Sequence, residues 1–132
     1  MTPRPDNSER PVHRLFLSAV LRDGGQGVFS WVDETTGKKH LERIPRASKI
    51  EAEYCGLLSA LGTLPDGARV EIVSDSALLC GQVHDVSPVR GPRVRALSVQ
   101  TLIVIRRRRL DVTVLCAPRS DNRAWTRLRQ LR

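Results

Sequence analysis

Asp75 stands at a place in the sequence where a carboxylate could do chemistry. It lies in VEIVSDSALL (70–79), which begins like a buried strand and ends like the first turn of a helix. A carboxylate at the end of a strand could hold a hard cation such as Mg²⁺, which prefers oxygen ligands, and ligands of mixed sheets gather near strand ends. A structural role is the alternative, because Asp is a preferred N-cap residue.

A second candidate carboxylate is Glu53. Glu51 and Glu53 flank the apolar face of a predicted helix at similar angles, so periodicity alone does not choose between them. Ser48 with Glu51 three residues later forms a capping box, which gives Glu51 a structural role and leaves Glu53 as the site candidate. A solvated glutamate at the helix edge is the alternative for Glu53. The helix is indicated by apolar residues at helical spacing: Ile50, Tyr54, Leu57, Leu58 and Leu61.

The spacing of apolar residues, which indicates the strands and helices that position these carboxylates, changes along the chain. The first third predicts an antiparallel meander of three strands joined by Gly-containing turns, and helices alternate with strands after it. One segment, 93–107, is interpreted as a helix, and a strand is the alternative because the segment contains several β-branched residues. The strands are predicted at 14–21, 27–32, 38–44, 70–75 and 110–116, and the other helices at 50–61, 76–83 and from 124 onward.

This order predicts an α/β fold: a five-stranded mixed sheet in which the meander β1-β2-β3 is followed by α-β-α-β-α, with helices on the faces of the sheet. The chain has 132 residues, which suits one domain over 13–132 after a disordered polar tail over 1–12. The longest apolar run, 102–105, is far shorter than the roughly 20 residues of a membrane helix. The N-terminus has no apolar signal core, so we expect a cytoplasmic protein without membrane association. Three Cys and three His lack metal-ligand spacing, which argues against a zinc site.

The positive charge is concentrated in the C-terminal third. Residues 90–132 carry 12 Arg and 2 Asp, a net charge of +10, whereas the whole chain carries +8, so the remainder is slightly acidic. Such a patch attracts polyanions, with nucleic acid the leading candidate, and a solvated Arg-rich surface is the alternative. The charge peaks at four consecutive arginines, which we call the Arg run: Arg106, Arg107, Arg108 and Arg109.

The element order and four motifs resemble the ribonuclease H family over about residues 13–131. GQGVFSWVDETTG (25–37) is similar to the second strand and turn of the family, and PRSDNRAWTRL (118–128) to a C-terminal motif of one branch. KIEAEYCGLLSAL (49–61) resembles the first helix, which implies a catalytic role for Glu53. VEIVSDSALL resembles the fourth strand, which implies the same for Asp75.

The sequence departs from the family at two of its four catalytic carboxylates. The resemblance implies four carboxylates around two divalent cations, but Ser18 stands at the first position and Thr126 at the fourth. Asp23 and Asp121 are nearby in sequence, each about five residues out of place. Two neighbouring cations repel each other and need anionic ligands. Glu53 and Asp75 alone therefore predict a remnant site that binds one Mg²⁺ or Mn²⁺ at most, and weakly.

We therefore expect a degenerate ribonuclease H-like domain that binds RNA/DNA hybrid or duplex through phosphates, with little or no nuclease activity. The five aromatic residues are not interleaved with basic ones, so base stacking is not predicted. Two alternatives stay open: an active metal-dependent ribonuclease H with a rearranged site, and an interaction module whose Arg-rich surface meets an acidic protein partner. The predicted nucleic-acid contacts are the Arg run together with Arg119, Asn122 and Arg123.

Overall fold

The computed structural model describes residues 11–131, which form one five-stranded mixed sheet in the order β3-β2-β1-β4-β5. The first three strands pair antiparallel, and β4 and β5 continue the sheet parallel to β1. The predicted fold class is therefore confirmed. The strands are β1 (Val12–Arg22), β2 (Gln26–Asp33), β3 (Lys39–Ile44), β4 (Arg69–Ser74) and β5 (Asp111–Cys116).

Most of the predicted tail lies outside the described residues. Its last residue, Val12, already belongs to β1 and is in register with Arg69 of β4. Among residues 11–131, no helix is both long and apolar enough to cross a membrane.

Four helices cover the sheet. The segment that sequence left open between helix and strand is the helix α3, because Val94, Leu97 and Thr101 share one inward face at helical spacing and a proline opens its first turn. The helices are α1 (Lys49–Leu61), α2 (Ala77–Val83), α3 (Pro92–Arg107) and α4 (Arg123–Arg129), with a 3₁₀ turn at Arg119–Asp121.

Alternation along β1 divides the core between two layers. Leu15 and Leu17 point into the main core beneath α1, whereas Phe16 packs with Val73 and Ala124 beneath α4. The strand is thus buried on both faces, which explains its almost continuously apolar sequence.

Gly56 brings α1 unusually close to the sheet. A Cβ atom at this position would lie 2.7 Å from Cδ1 of Leu17 and 3.0 Å from Cβ of Phe29, so a larger residue would force the helix outward. Glu53 lies one turn earlier on the same helix and is held against the sheet by this contact. The fold therefore fixes the depth of the carboxylate as well as its direction.

Candidate functional site

The two candidate carboxylates meet in one cleft. Asp75 directly follows β4, and its side chain is 1% exposed. Glu53 projects from α1, and its side chain is 3% exposed. Both line a cleft of about 410 Å³ formed by the starts of α1 and α2. We call this region, at the C-terminal end of β4, the carboxylate end.

The capping roles are held by other residues. Ser76 is the N-cap of α2, and its hydroxyl accepts a hydrogen bond from the Leu79 amide, so the alternative role of Asp75 as a helix cap is wrong. Ser48 caps α1 and pairs with Glu51 as the capping box predicts. Neither site carboxylate is therefore explained by a helix terminus.

Ser18 contacts Asp75 directly. Its hydroxyl donates a hydrogen bond of 2.7 Å to Oδ2 of Asp75, and the residue is 1% exposed. A neutral donor therefore lies beside Asp75 where the resemblance implies a third carboxylate.

Each carboxylate is also paired with a cation of the protein itself. Nζ of Lys49 lies 3.9 Å from Oε1 of Glu53, and Nε of Arg119 lies 3.5 Å from Oδ2 of Asp75. The Arg119 guanidinium also stacks on the Trp125 ring, 4.4 Å from its centroid. Two positive charges thus offset the two negative charges of the site. Sequence reasoning missed Lys49, although its position four residues before Glu53 on a helix is a spacing at which side chains meet.

One oxygen of each carboxylate is left without a partner. Oε2 of Glu53 and Oδ1 of Asp75 are buried and accept no hydrogen bond from the described residues. A buried acceptor without a donor is costly, so these two oxygens are the acceptors of the site that are left available to an ion. Within residues 11–131, no group of three or more His, Cys, Asp or Glu could hold a metal. The described residues therefore do not supply the ligands that two ions need.

Protonation of Glu53 competes with metal binding. Burial raises the pKa of Glu53 above its ordinary value, and the charge of Asp75 adds to this shift; a hydrogen bond with Ser76 and the charges of Lys49 and Arg119 oppose it. Because a metal ligand must be deprotonated, the raised pKa weakens ion binding at low pH.

The other predicted or substitute acidic positions are exposed. Thr126 lies on the outer side of α4, where its hydroxyl donates to the Asn122 carbonyl at 3.4 Å. Asp23 lies in the turn after β1, and Asp121 in the 3₁₀ turn. Among residues 11–131, no recorded hydrogen bond or ion pair joins any of the three to Glu53 or Asp75.

Asn122 is a structural residue and does not form part of the surface. It is 1% exposed, and its side-chain amide donates to the carbonyls of Leu17 at 3.0 Å and Val73 at 3.4 Å. Its oxygen accepts from the amides of Ala124 and Trp125, which caps α4. The predicted nucleic-acid contact is therefore replaced by a role in fixing α4 against β1 and β4.

The Arg run is divided between surface and structure. Arg106, Arg107 and Arg109 are exposed, but Arg108 donates to the carbonyls of Leu61, at 2.7 Å, and Leu64. Nε of Arg108 also lies 3.0 Å from Asp66. Of the four arginines predicted to contact nucleic acid, Arg108 therefore has a structural role, because its guanidinium hydrogen-bonds carbonyls at and just after the end of α1.

The Arg run lies at the end of the sheet opposite the carboxylates. It immediately precedes β5, whose first residue Asp111 is in register with Arg69 at the start of β4. Asp75 follows the last residue of β4. Six-residue strands separate the two ends by about 20 Å.

Arg119, by contrast, lies at the carboxylate end, and Arg123 follows four residues later. The Arg119 side chain is 44% exposed beside Asp75. Arg123 is exposed at the start of α4, where it pairs with Glu34 at 3.4 Å and lies over the Phe16 ring.

No protein-family model and no curated protein sequence is significantly similar to the chain. Solved structures are similar. Ribonuclease H1 from the halophilic archaeon Halobacterium salinarum superposes with a TM-score of 0.74 at 21% identity, covering 86% of this chain and 91% of that one. LC11 ribonuclease H1, solved in complex with an RNA/DNA hybrid, gives 0.74 at 20% identity over 84% of this chain and 88% of that one.

The chain has a ribonuclease H fold. The N-terminal ribonuclease H domain of Rv2228c from Mycobacterium tuberculosis agrees, with a TM-score of 0.72 at 21% identity over 84% of this chain and 85% of that one. Sequence motifs predicted this ribonuclease H fold, and the strand order and superpositions confirm it.

Proposed function

We propose that this chain is a ribonuclease H-like domain that binds RNA/DNA hybrid or duplex through backbone phosphates, with little or no cleavage. The observation that carries the proposal is the pairing of both buried carboxylates with resident cations, Lys49 and Arg119. The site is close to neutral without any metal, and the hydroxyl of Ser18 stands where the resemblance implies the first carboxylate.

Loss of cleavage follows from the charges. Hydrolysis by two metal ions needs two cations roughly 4 Å apart, and anionic ligands must offset their repulsion. Glu53 and Asp75 supply at most two negative charges, which Lys49 and Arg119 already offset. If one Mg²⁺ or Mn²⁺ binds, Oε2 of Glu53 and Oδ1 of Asp75 hold it, and it supplies one more positive charge for a phosphate.

The binding surface that we infer is the carboxylate end. Ligands of open α/β sheets bind outside the C-terminal ends of the strands. Arg119 presents its guanidinium group there, and Arg123 follows it at the start of α4. A phosphate oxygen can replace Asp75 as the partner of the Arg119 guanidinium and accept a charge-assisted hydrogen bond from it. The similar LC11 ribonuclease H1 was solved with an RNA/DNA hybrid, which supports this class of ligand.

One incubation, analysed on a native gel and a denaturing gel, tests binding and cleavage together. End-labelled RNA/DNA hybrid is incubated with the protein at low salt, with Mg²⁺ or Mn²⁺, and run in parallel on native and denaturing gels. We expect a shifted complex with intact strands. Cleavage of the RNA by the wild type, and its loss in the Asp75→Asn variant, would instead show that the chain is an active nuclease. The absence of any shift at low salt would exclude nucleic acid as the ligand.

A further inference from the structure

The outer side of helix α3 carries a second set of apolar residues, which the rest of the described chain leaves about half exposed. The inner face of the helix is buried, but Val99, Leu102 and Ile103 on the outer side are 54%, 51% and 43% exposed. Residues spaced three and four apart share one helix face, so these three form a continuous patch. We call this patch the α3 stripe. Single exposed apolar residues are ordinary, whereas contiguous ones indicate an interaction surface.

Arginines mark both ends of the α3 stripe. Arg95 lies one turn before Val99, and Arg106 lies one turn after the pair Leu102 and Ile103, so all five residues share one side of the helix. Both arginines are exposed. Between Asp85 and Asp111 the sequence contains seven Arg and no acidic residue. The ends of the α3 stripe therefore favour negative charge.

A cleft of about 320 Å³ opens beside the α3 stripe. Leu102 and Ile105 of α3 form one wall, and Tyr54, Val83 and Val89 line the rest. The cleft is large enough for one apolar side chain. A bilayer surface has no feature that would fill such a concavity, whereas a helix bearing a Leu or Phe has one.

A second copy of this chain is a poor occupant. In a parallel pairing Arg95 would face Arg95 of the other copy, and in an antiparallel pairing it would face Arg106. Both arrangements bring like charges together, which is unfavourable at an interface. Nucleic acid matches the arginines but buries none of the three apolar side chains.

We propose that the α3 stripe binds an acidic amphipathic helix of a partner protein. The partner helix lays apolar residues at i, i+3 and i+7 on Val99, Leu102 and Ile103, one of them entering the cleft beside Leu102. Acidic residues near its two ends face Arg95 and Arg106. This is recognition of a helix by an apolar surface with complementary charge. This proposal is independent of the proposed nucleic-acid function, because the α3 stripe lies on the outer side of α3, whereas the inner side packs on α1.

Fluorescence anisotropy with the full chain and a synthetic probe tests this proposal. The probe is a labelled 20-residue helical peptide with Leu on one face and Glu near both ends, and a control peptide carries Lys in place of each Glu. We expect saturable binding of the acidic peptide and at least tenfold weaker binding of the basic one. Equal affinity for the two peptides, or no saturable binding of either, would overturn the proposal.

Variants on α3 locate the binding. The double change Leu102→Ser and Ile103→Ser should weaken acidic-peptide binding at least tenfold, and Arg106→Ser should weaken it several-fold. The matched controls are Leu21→Ser and Arg129→Ser, which remove an exposed apolar side chain and an exposed arginine on other elements of the fold. They should change affinity less than twofold. Equal effects from the controls would contradict the proposal.

Three further measurements, on the wild type and the double variant, test whether a different ligand occupies the α3 stripe. The wild type should be monomeric by sedimentation, should not bind anionic phospholipid vesicles through this face, and should bind RNA/DNA hybrid as tightly as the variant. Self-association, vesicle binding or hybrid binding that the double change abolishes would assign the face to a second copy, a membrane or nucleic acid, and would overturn the proposal. The unfolding temperature of the variant should stay close to that of the wild type, because about half of each side chain is already exposed.

Discussion

The two ends of the β4–β5 strand pair use charge in opposite ways. At the carboxylate end, Asp75 and Glu53 are buried and each is matched by one cation, Arg119 or Lys49. At the other end, the Arg run contributes exposed positive charge, yet its Arg108 is committed to backbone carbonyls.

The peak of positive charge in the sequence is therefore distant from the cleft that holds the two carboxylates. The most basic four residues of the chain lie about 20 Å from the carboxylates, because a six-residue strand separates them. The arginine next to the carboxylates, Arg119, lies outside the Arg run, ten residues after its last member.

The largest effect should come from adding a third carboxylate to the carboxylate end. Ser18→Asp would bury a charge beside Asp75, and without metal this should cost about 3 kcal/mol of stability. Mn²⁺ should recover most of the loss, because the added ligand improves the metal site. Thermal unfolding with and without MnCl₂ measures both effects.

Thr126→Asp is the matched control for that change. Thr126 is exposed, so the change should alter stability by about 0.5 kcal/mol or less, with or without metal. If Ser18→Asp were equally harmless without metal, residue 18 would not lie at the site.

At the opposite end, the residues of the Arg run should differ in how much each contributes to stability. Arg108→Ala removes the donors to the Leu61 and Leu64 carbonyls and should cost about 2 kcal/mol. Arg107→Ala removes an exposed charge and should cost about 0.5 kcal/mol or less. Urea unfolding of both variants measures the contrast. Equal losses would mean that Arg108 has no structural role.

Glu53→Gln should stabilise the protein at neutral pH by about 1 kcal/mol. The raised pKa of Glu53 means that the folded state holds this proton more tightly than the unfolded state. The wild type therefore loses stability as pH rises from the ordinary glutamate value through the raised one. Glutamine does not titrate, so its advantage should be present at pH 7 and shrink toward pH 4. Urea unfolding at both values decides; an equal difference at the two would contradict the assignment.

The smallest effect concerns the backbone of the Arg run. Arg109 has φ 54°, a conformation that suits glycine at the C-terminal end of a helix. Arg109→Gly should therefore stabilise the protein by about 0.5 kcal/mol. Arg107→Gly, inside the last turn of α3, should instead destabilise it by about 0.5–1 kcal/mol. The opposite signs are measurable by chemical denaturation, and a loss at both positions would contradict this explanation.

The fold was predictable because its signals are local. Period changes and glycine turns marked the strands, and the capping box at Ser48 marked the start of α1. Only 93–107 was ambiguous, since the β-branched residues Val99 and Ile103 lie on a helix face that is unusually apolar for an exposed surface. The pairing of Ser18 with Asp75 followed from motif register, and the distance between them agrees.

The electrostatic environment of the site was not predictable, because it depends on contacts between distant segments. Arg119 lies 44 residues after Asp75, and nothing in the sequence indicates that its guanidinium would pair with that carboxylate. The hydrogen bonds from Asn122 to the carbonyls of Leu17 and Val73 likewise form only when α4 packs on the sheet.

The central claim is that nucleic acid binds at the carboxylate end and not at the Arg run. The direct test is anisotropy of a labelled RNA/DNA hybrid over a series of salt concentrations, comparing two double variants with equal charge loss. Arg119→Ser with Arg123→Ser should weaken binding about tenfold and flatten the slope of log K against log salt by about 0.9 for each lost contact. Arg106→Ser with Arg107→Ser should leave the slope nearly unchanged. The reverse order of effects would contradict the account.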